Sequence, residues 1–337
     1  MLTAVRNSIR LCMALYGPPP MSLPALLVFG EALTDLIRRP GGDGRQWVTR
    51  AGGACWNVAR VSAAMGVATG YGGAISTHAP FGTELLALSR AAGLDERYLQ
   101  PVDAPPLVAV VHRHDPPAYF FLGTGAADLA FDPDALPSGW QNAARVAHFG
   151  CISLVRVPLA GRLLSLAAQL HARGVAISFD PNLRNLMGPD YFATFTQMAK
   201  LATWLKLSVE DLRGLYPART DDDALADVRR IAPQASVLLT DGANGMRLLL
   251  PDGTALTQPA YSVDVADTVG AGDAAIGGWL ASLSRDPEAS LASHLRRAAA
   301  AAALACTRTG AYAPDWQAVE GLAATRLVDG TSGQSSK

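Results

Sequence analysis

Short, unbroken apolar runs separated by stretches long enough for a helix constrain this chain most. Leu26, Leu27, Val28 and Phe29 form one such run. Residues 144–149, Val175 to Phe179, and Ser236, Val237, Leu238, Leu239 and Thr240 read as further buried strands. A strand with no polar alternation is one buried on both faces. Between two of these runs, residues 159–173 carry apolar side chains at helical spacing. Strands alternating with helices predict a mostly parallel sheet covered by helices on both faces, an α/β architecture. In such sheets ligands bind beyond the carboxyl ends of the strands. A chain of 337 residues, 50% of them hydrophobic, has material for one large domain with a small appendage.

Composition removes several function classes. The net charge is -1 and no basic block stands out, which argues against nucleic acid or an anionic membrane as partner. The longest apolar stretch, residues 298–306, is less than half of the roughly 20 residues that cross a bilayer. Cys12, Cys55, Cys151 and Cys306 form no C-x-x-C pair, so neither a zinc site nor a disulfide framework is indicated, and a reduced cytoplasmic interior fits best. Arg6 and Arg10 before residues 11–16 imitate a signal peptide, but the apolar part is short and Gly17, Pro18, Pro19 and Pro20 follow it. Residues 1–20 are expected to be a disordered extension upstream of Met21, and residues 329–337 a disordered Ser/Gly-rich tail, leaving 21–328 as the folded domain.

The chemistry is concentrated at Asp267, Thr268, Val269, Gly270, Ala271, Gly272 and Asp273. Residues 261–265 read as a short strand and the small apolar residues after Asp273 as a helix, so a glycine turn opens a helix. The first amides of a helix lack partners and carry partial positive charge, and bare glycines let a phosphate approach them. Asp273 would repel that phosphate; it makes sense as the group that takes a proton from an attacking hydroxyl. Three plainer readings compete. Gly270 to Ala275 also fits the dinucleotide fingerprint G-x-G-x-x-A, which wants an acidic residue at a strand end about 20 positions on. Residues 284–288 are instead a polar turn. The other two are an ordinary N-terminal helix charge and a simple tight turn.

Asp-Thr-x-Gly-Ala-Gly-Asp resembles the C-terminal signature of the ribokinase-like sugar kinases, the PfkB family. A second signature of that family, Gly-Gly-x-x-x-Asn-x-Ala, is met by Gly52, Gly53, Asn57 and Ala59. The resemblance spans residues 26–314, is strongest to bacterial fructokinases, and no Walker-type G-x-x-x-x-G-K-[ST] is present. It implies a ribokinase-like fold: a central mostly parallel sheet flanked by helices, with a small β-sheet lid over the sugar. Two hairpins legible in the residues would supply that lid, at about residues 33–50 around Pro40, Gly41, Gly42 and Asp43, and 106–122 around Asp115, Pro116 and Pro117. A lid would exclude water, the competing nucleophile. His112 and His114 alternate onto one face of the second hairpin, where they read as edge-strand polar residues.

The same resemblance implies roles for particular residues. Asp273 would be the base, with Gly270, Ala271 and Gly272 forming the anion hole. Asp35, Gly52, Gly53, Asn57 and Arg184 would hold the sugar, Arg184 and Asn182 coming from the family's Asp-x-Asn-x-Arg at Asp180. Lys206, Thr240, Gly242, Gly245 and Ala303 would meet the nucleotide. Asp211 or neighbouring Glu210 would hold magnesium through water, Ser208 standing where the family has Asn. Asp267, Val269, Ala305 and Gly310 would surround a potassium ion, mostly through backbone oxygens. Gly125, Ala126, Ala127 and Asp128 resemble a sugar-proximal loop, with Gly123 where fructokinases carry Arg. The implied function is ATP-dependent, Mg2+-requiring phosphorylation of a free sugar, D-fructose to D-fructose 6-phosphate. The alternatives are a 2-keto-3-deoxygluconate, ribose or nucleoside kinase on the same scaffold, and a non-catalytic sugar-binding regulator. A homodimer, if one forms, is expected through the lid.

Overall fold

The computed structural model describes residues 23–39, 45–113, 118–184 and 186–325. The expected extension at 1–20, the tail at 329–337, His114 and both hairpin tips lie outside these residues.

The apolar runs become the middle of a nine-stranded sheet. Its strands are β1 (Leu26–Phe29), β4 (Thr69–Ser76), β5 (Leu99–Val102), β8 (Val146–Gly150), β9 (Ala176–Asp180), β10 (Ala202–Ser208), β11 (Ser236–Thr240), β12 (Met246–Leu249) and β13 (Ala255–Gln258), in the order β13-β12-β11-β10-β9-β8-β1-β4-β5. All neighbours are parallel except β11-β12 and β12-β13, which form an antiparallel edge. Every residue of β1, β4, β8 and β9 is buried, as a strand covered on both faces requires.

Helices cover the two faces. In chain order they are α1 (Ala54–Ala64), α2 (Phe81–Ala91), α3 (Trp140–Ala143), α4 (Leu159–Ala172), α5 (Tyr191–Leu201), α6 (Val209–Leu215), α7 (Asp221–Ile231), α8 (Ala271–Arg285), α9 (Leu291–Cys306) and α10 (Trp316–Ala323). One core lies under α4 and α5, with Phe149, Ile177, Phe179 and Phe195 fully covered. The other lies under α1, α8 and α9, around Trp56, Val28, Ile276 and Trp279. Ala298 to Ala301 on α9 let it pack closely on α8, where a Cβ on Gly278 would lie 2.7 Å from the Ala301 methyl. No helix among the described residues is long and apolar enough to cross a membrane.

A separate four-stranded sheet, in the order β3-β2-β6-β7, is built from β2 (Leu33–Arg38), β3 (Trp47–Gly52), β6 (Val108–Arg113) and β7 (Ala118–Leu122). These are the two hairpins expected from the turn residues, joined by a parallel β2-β6 pairing. One expectation fails: residues 261–265 form no strand. The β12-β13 hairpin completes that edge of the main sheet, so the segment has no ladder to join. Its apolar side chains line a cavity instead.

Candidate active site

Two cavities meet at the carboxyl ends of β1, β9, β10 and β11. One, of about 570 Å³, lies between the small sheet and the main body and is lined by Asp35, Gly52, Gly53, Asn57, Asp273 and Gly310 among others. The other, about 950 Å³, runs past Lys206, Thr240, Gly242 and Gly245 to Ala299, Ala303 and Cys306. Asn182, Arg184, Thr268 and Gly272 line both.

The junction is the start of α8. Gly270 caps it at φ 79°, a left-handed conformation that favours glycine, and a Cβ there would come within 2.9 Å of the Ala311 methyl. The Ala271 N–H turns back to the Thr268 carbonyl at 3.2 Å, whereas the Gly272 and Asp273 amides have no backbone partner among the described residues. Of the amides of Ala271, Gly272 and Asp273 expected to meet a phosphate, those of Gly272 and Asp273 are therefore the open ones. Asp273 Oδ2 accepts from Asn57 Nδ2 at 2.8 Å, and its Oδ1 lies 3.4 Å from Asn182 Nδ2. Burial pushes the Asp273 carboxyl above its ordinary value, against the Asn57 hydrogen bond and the positive charges of Arg184 and Lys206. Asn57 Oδ1 is buried with no protein partner, an acceptor left open beside the cavity.

Glycines shape the wall of the smaller cavity. A Cβ on Gly52 would lie 2.6 Å from Asp35 Oδ2, so a bare backbone is what lets that carboxylate lean over. Gly53, at φ 113°, packs so closely that a Cβ would sit 2.5 Å from the Glu31 carbonyl oxygen. Asp35 is held up at about 6 by burial, which the Arg184 charge opposes and Asp273 reinforces. Asn182 also adopts positive φ, 41°, steadied by its N–H to Asp180 Oδ1 at 3.0 Å.

Behind the junction lies a buried charge cluster. Lys206 Nζ is 3.0 Å from Asp180 Oδ2 and 3.8 Å from Asp211 Oδ2. Burial alone would lower the Lys206 pKa, but Asp180 and Asp211 outweigh it and leave it raised. Its ammonium lies 3.2 Å from where a Cβ on Gly272 would be, next to the open amides. Burial lifts Asp180 to about 7 against the Lys206 charge. Asp211 is lowered: burial is overcome by Lys206 and by the backbone N–H groups of Ser208 and Leu183. Its two oxygens accept from Leu183 N at 2.6 Å and Ser208 N at 2.8 Å. With both oxygens so engaged, Asp211 suits contact with a cation through water better than direct ligation, while exposed Glu210 lines the cavity beside it. Among the described residues no three His, Cys, Asp or Glu side chains converge on a metal position.

Asp267, Val269 and Gly310 line the smaller cavity, but Ala305 is fully buried and lines neither. Both Asp267 oxygens accept backbone N–H groups, from Val269 at 3.1 Å and Gly310 at 2.9 Å. An ion there would meet carbonyl oxygens.

Sequence reasoning passed over two elements of the site. Glu31, fully buried, accepts the Ala54 N–H at 3.0 Å and pairs with Ser153, fastening the glycine wall to β1. The signal was present, an acidic residue directly after a buried strand. The expected sugar-proximal loop does not line the cavity: Asp128 is buried against Arg156, with Nη2 to Oδ1 at 2.9 Å. Arg156 also donates to the Gly123 carbonyl at 2.7 Å, and its guanidinium stands 2.5 Å from where a Cβ on Gly123 would be. Arg156 thus fills the space of the side chain missing at position 123. Thirty-three residues separate the two, and no local pattern connects them.

Comparisons agree with this geometry. The pfkB family carbohydrate kinase profile matches residues 24–318. A fructokinase of Rhizobium leguminosarum bv. trifolii is 32% identical over 266 residues, covering 77% of this chain and 80% of that one. A Klebsiella pneumoniae fructokinase is 30% identical over 298 residues, covering 84% and 94%. The structure of a Xylella fastidiosa fructokinase with bound ATP superposes with a TM-score of 0.78 at 29% identity, covering 88% of this chain and 97% of that one. The chain belongs to the pfkB family of carbohydrate kinases, enzymes that move a phosphoryl group onto a sugar.

Proposed function

We propose that the protein transfers the γ-phosphoryl group of ATP to a hydroxyl of a free sugar, with D-fructose to D-fructose 6-phosphate as the reading its relatives favour. The observation that carries it is the position of Asp273. One carboxylate lies where the two cavities join, held from the sugar side by Asn57 and facing Asn182, with open helix-start amides in the same turn.

The sugar lies against Gly52 and Gly53, its hydroxyls held by Asp35, Arg184 and the open oxygen of Asn57. Asp273 takes the proton of the hydroxyl as its oxygen attacks phosphorus. The Gly272 and Asp273 amides, Ala271 and Gly270 behind them, and Lys206 meet the charge that builds on the transferred group. Thr240, Gly242 and Gly245 follow the nucleotide phosphates, and Ala303 faces the base. Glu210 and Asp211 would hold, through water, a magnesium ion brought in with ATP, which would supply positive charge against the phosphates. Potassium, if used, is met by backbone oxygens of Asp267, Val269 and Gly310; Ala305 would act only through its carbonyl. Exposed Phe120 and Leu122 make the outer face of the small sheet the surface through which a homodimer would form, which sedimentation tests.

A coupled assay of ADP release over a panel of neutral and acidic sugars and nucleosides decides the reading. Sugar-dependent release, D-fructose included, supports it. ATP left intact with every acceptor contradicts it.

A further inference from the structure

The Gly270 turn has little support of its own. Within it the Val269 N–H closes on Asp267 Oδ1 at 3.1 Å and the Ala271 N–H on the Thr268 carbonyl at 3.2 Å, and the segment before it joins no ladder. Its bracing comes from the stretch that follows α9. The Cys306 carbonyl accepts the Ala266 and Asp267 N–H groups at 2.9 and 3.2 Å, and Asp267 Oδ2 accepts the Gly310 N–H at 2.9 Å. Ala311 then packs so closely that a Cβ on Gly270 would lie 3.0 Å from its Cα.

That stretch is tied in turn to α1. Arg60 Nη1 donates to the Ala311 carbonyl at 3.2 Å, across 251 residues of chain. Arg60 stands one helical turn beyond Asn57, so α1 reaches the start of α8 twice. Asn57 meets the Asp273 carboxylate at 2.8 Å, and Arg60 holds the residue packed against Gly270. Helix α1 is a firm base for both. Ser62 donates to the Gly277 carbonyl at 3.2 Å, and a Cβ on Gly277 would lie 3.0 Å from the Val58 carbonyl oxygen, so the two helices pack closely.

The guanidinium is a demanding group to place there for one hydrogen bond. It lies 4.4 Å over the Trp56 ring, its Nε is buried with no hydrogen-bond partner, and it has no ion-pair partner among the described residues. A buried cation without a counter-charge costs stability. Negative charge would reach its neighbourhood with the phosphoryl group at the adjoining turn, Ala311 lying between the two.

We infer that Arg60 is a positioning residue for phosphoryl transfer: acting through Ala311, it holds the Gly270 turn in the shape that leaves the Gly272 and Asp273 amides open. This inference rests on the sugar-kinase reading and deepens it. Amides that meet charge only as it builds on the transferred group act on turnover rather than on sugar binding, so losing Arg60 should lower kcat and spare KM.

The test uses whichever acceptor gives the fastest ADP release, with two variants. Arg60→Met keeps a stem over Trp56 but neither charge nor donor; Arg60→Lys keeps both. Because a misplacement of about 1 Å can cost about 10²-fold, Arg60→Met should lower kcat at least about tenfold, with both KM values and calorimetric sugar affinity within about threefold. Its affinity for ADP with aluminium fluoride, a mimic of the transferring group, should weaken by at least about tenfold, which a merely structural role would not produce. Arg60→Lys should recover kcat at least about threefold over Arg60→Met. A kcat near that of the unmodified chain, a loss confined to sugar KM, unchanged affinity for the mimic, or a lysine no better than methionine overturns the inference and leaves the kinase reading in place. If Arg60→Met loses its cooperative melting transition, Arg60→Gln takes its place under the same expectations; loss in both assigns Arg60 to folding and overturns the inference. No ADP from the unmodified chain with any acceptor sinks the kinase reading and this inference with it.

Discussion

Replacing Lys206 with Met tests the buried charge cluster, because the structure specifies both the size of the effect and its pH dependence. Lys206 is 3% exposed and shares its charge between Asp180 and Asp211. Removing one partner of a buried pair leaves an uncompensated charge and costs about 3–5 kcal/mol. The variant can relieve part of that by keeping a proton on Asp180, which sits at about 7 even with Lys206 present. A carboxyl whose folded pKa is raised stabilises fully below its unfolded value, here 3.8, and loses that contribution as pH rises through the folded value. In the unmodified chain the loss is complete a little above pH 7. Without the ammonium the folded value moves higher still, so the loss continues, and the mutational penalty widens by about 1.4 kcal/mol per pH unit above 7. Lys206 itself adds no slope there, since its own pKa is raised. Urea unfolding of both chains at pH 6 and pH 8 measures this directly. A penalty under about 1 kcal/mol, equal at the two pH values, would refute the cluster as described.

Other consequences follow from the same carboxyl groups. If Asp35 holds sugar hydroxyls as proposed, it accepts them best when ionised; its pKa is held up at about 6, so kcat/KM for the sugar should fall as pH drops below 6. Asp35→Asn should lower the plateau roughly 10–100-fold and abolish that acid limb, read from pH–rate profiles; an unchanged limb assigns it elsewhere. Glu31 is raised from 4.5 to about 7 by burial, so the folded state loses about 3 kcal/mol as pH rises across that window. Glu31→Gln should therefore flatten the stability profile between pH 4.5 and 7, and parallel melting curves for the two chains would count against it.

Where local pattern determines structure, the sequence was readable. β1 and β11 occupy the residues their apolar runs marked, and the helix after Gly270 starts where the glycine turn indicated. Gly52, Gly53 and Asn57 reach the smaller cavity because a strand end, a tight turn and the first turn of α1 leave them no other direction. The misreading at residues 261–265 has a physical cause. Apolar alternation there reflects a cavity wall rather than a sheet face, and periodicity alone does not distinguish the two. Arg156 filling the space beside Gly123 and Arg50 standing opposite Asp35 depend on tertiary contact and strand register, which no local spacing reports.

The central claim is that Asp273 removes the proton from the attacking hydroxyl, and Asp273→Asn tests it most directly. Asparagine preserves the shape and can still accept from Asn57, so sugar binding by calorimetry should survive. Turnover measured by ADP release should drop about 10²–10⁴-fold. Turnover within a few-fold of the unmodified chain, with the sugar still bound, would contradict the account.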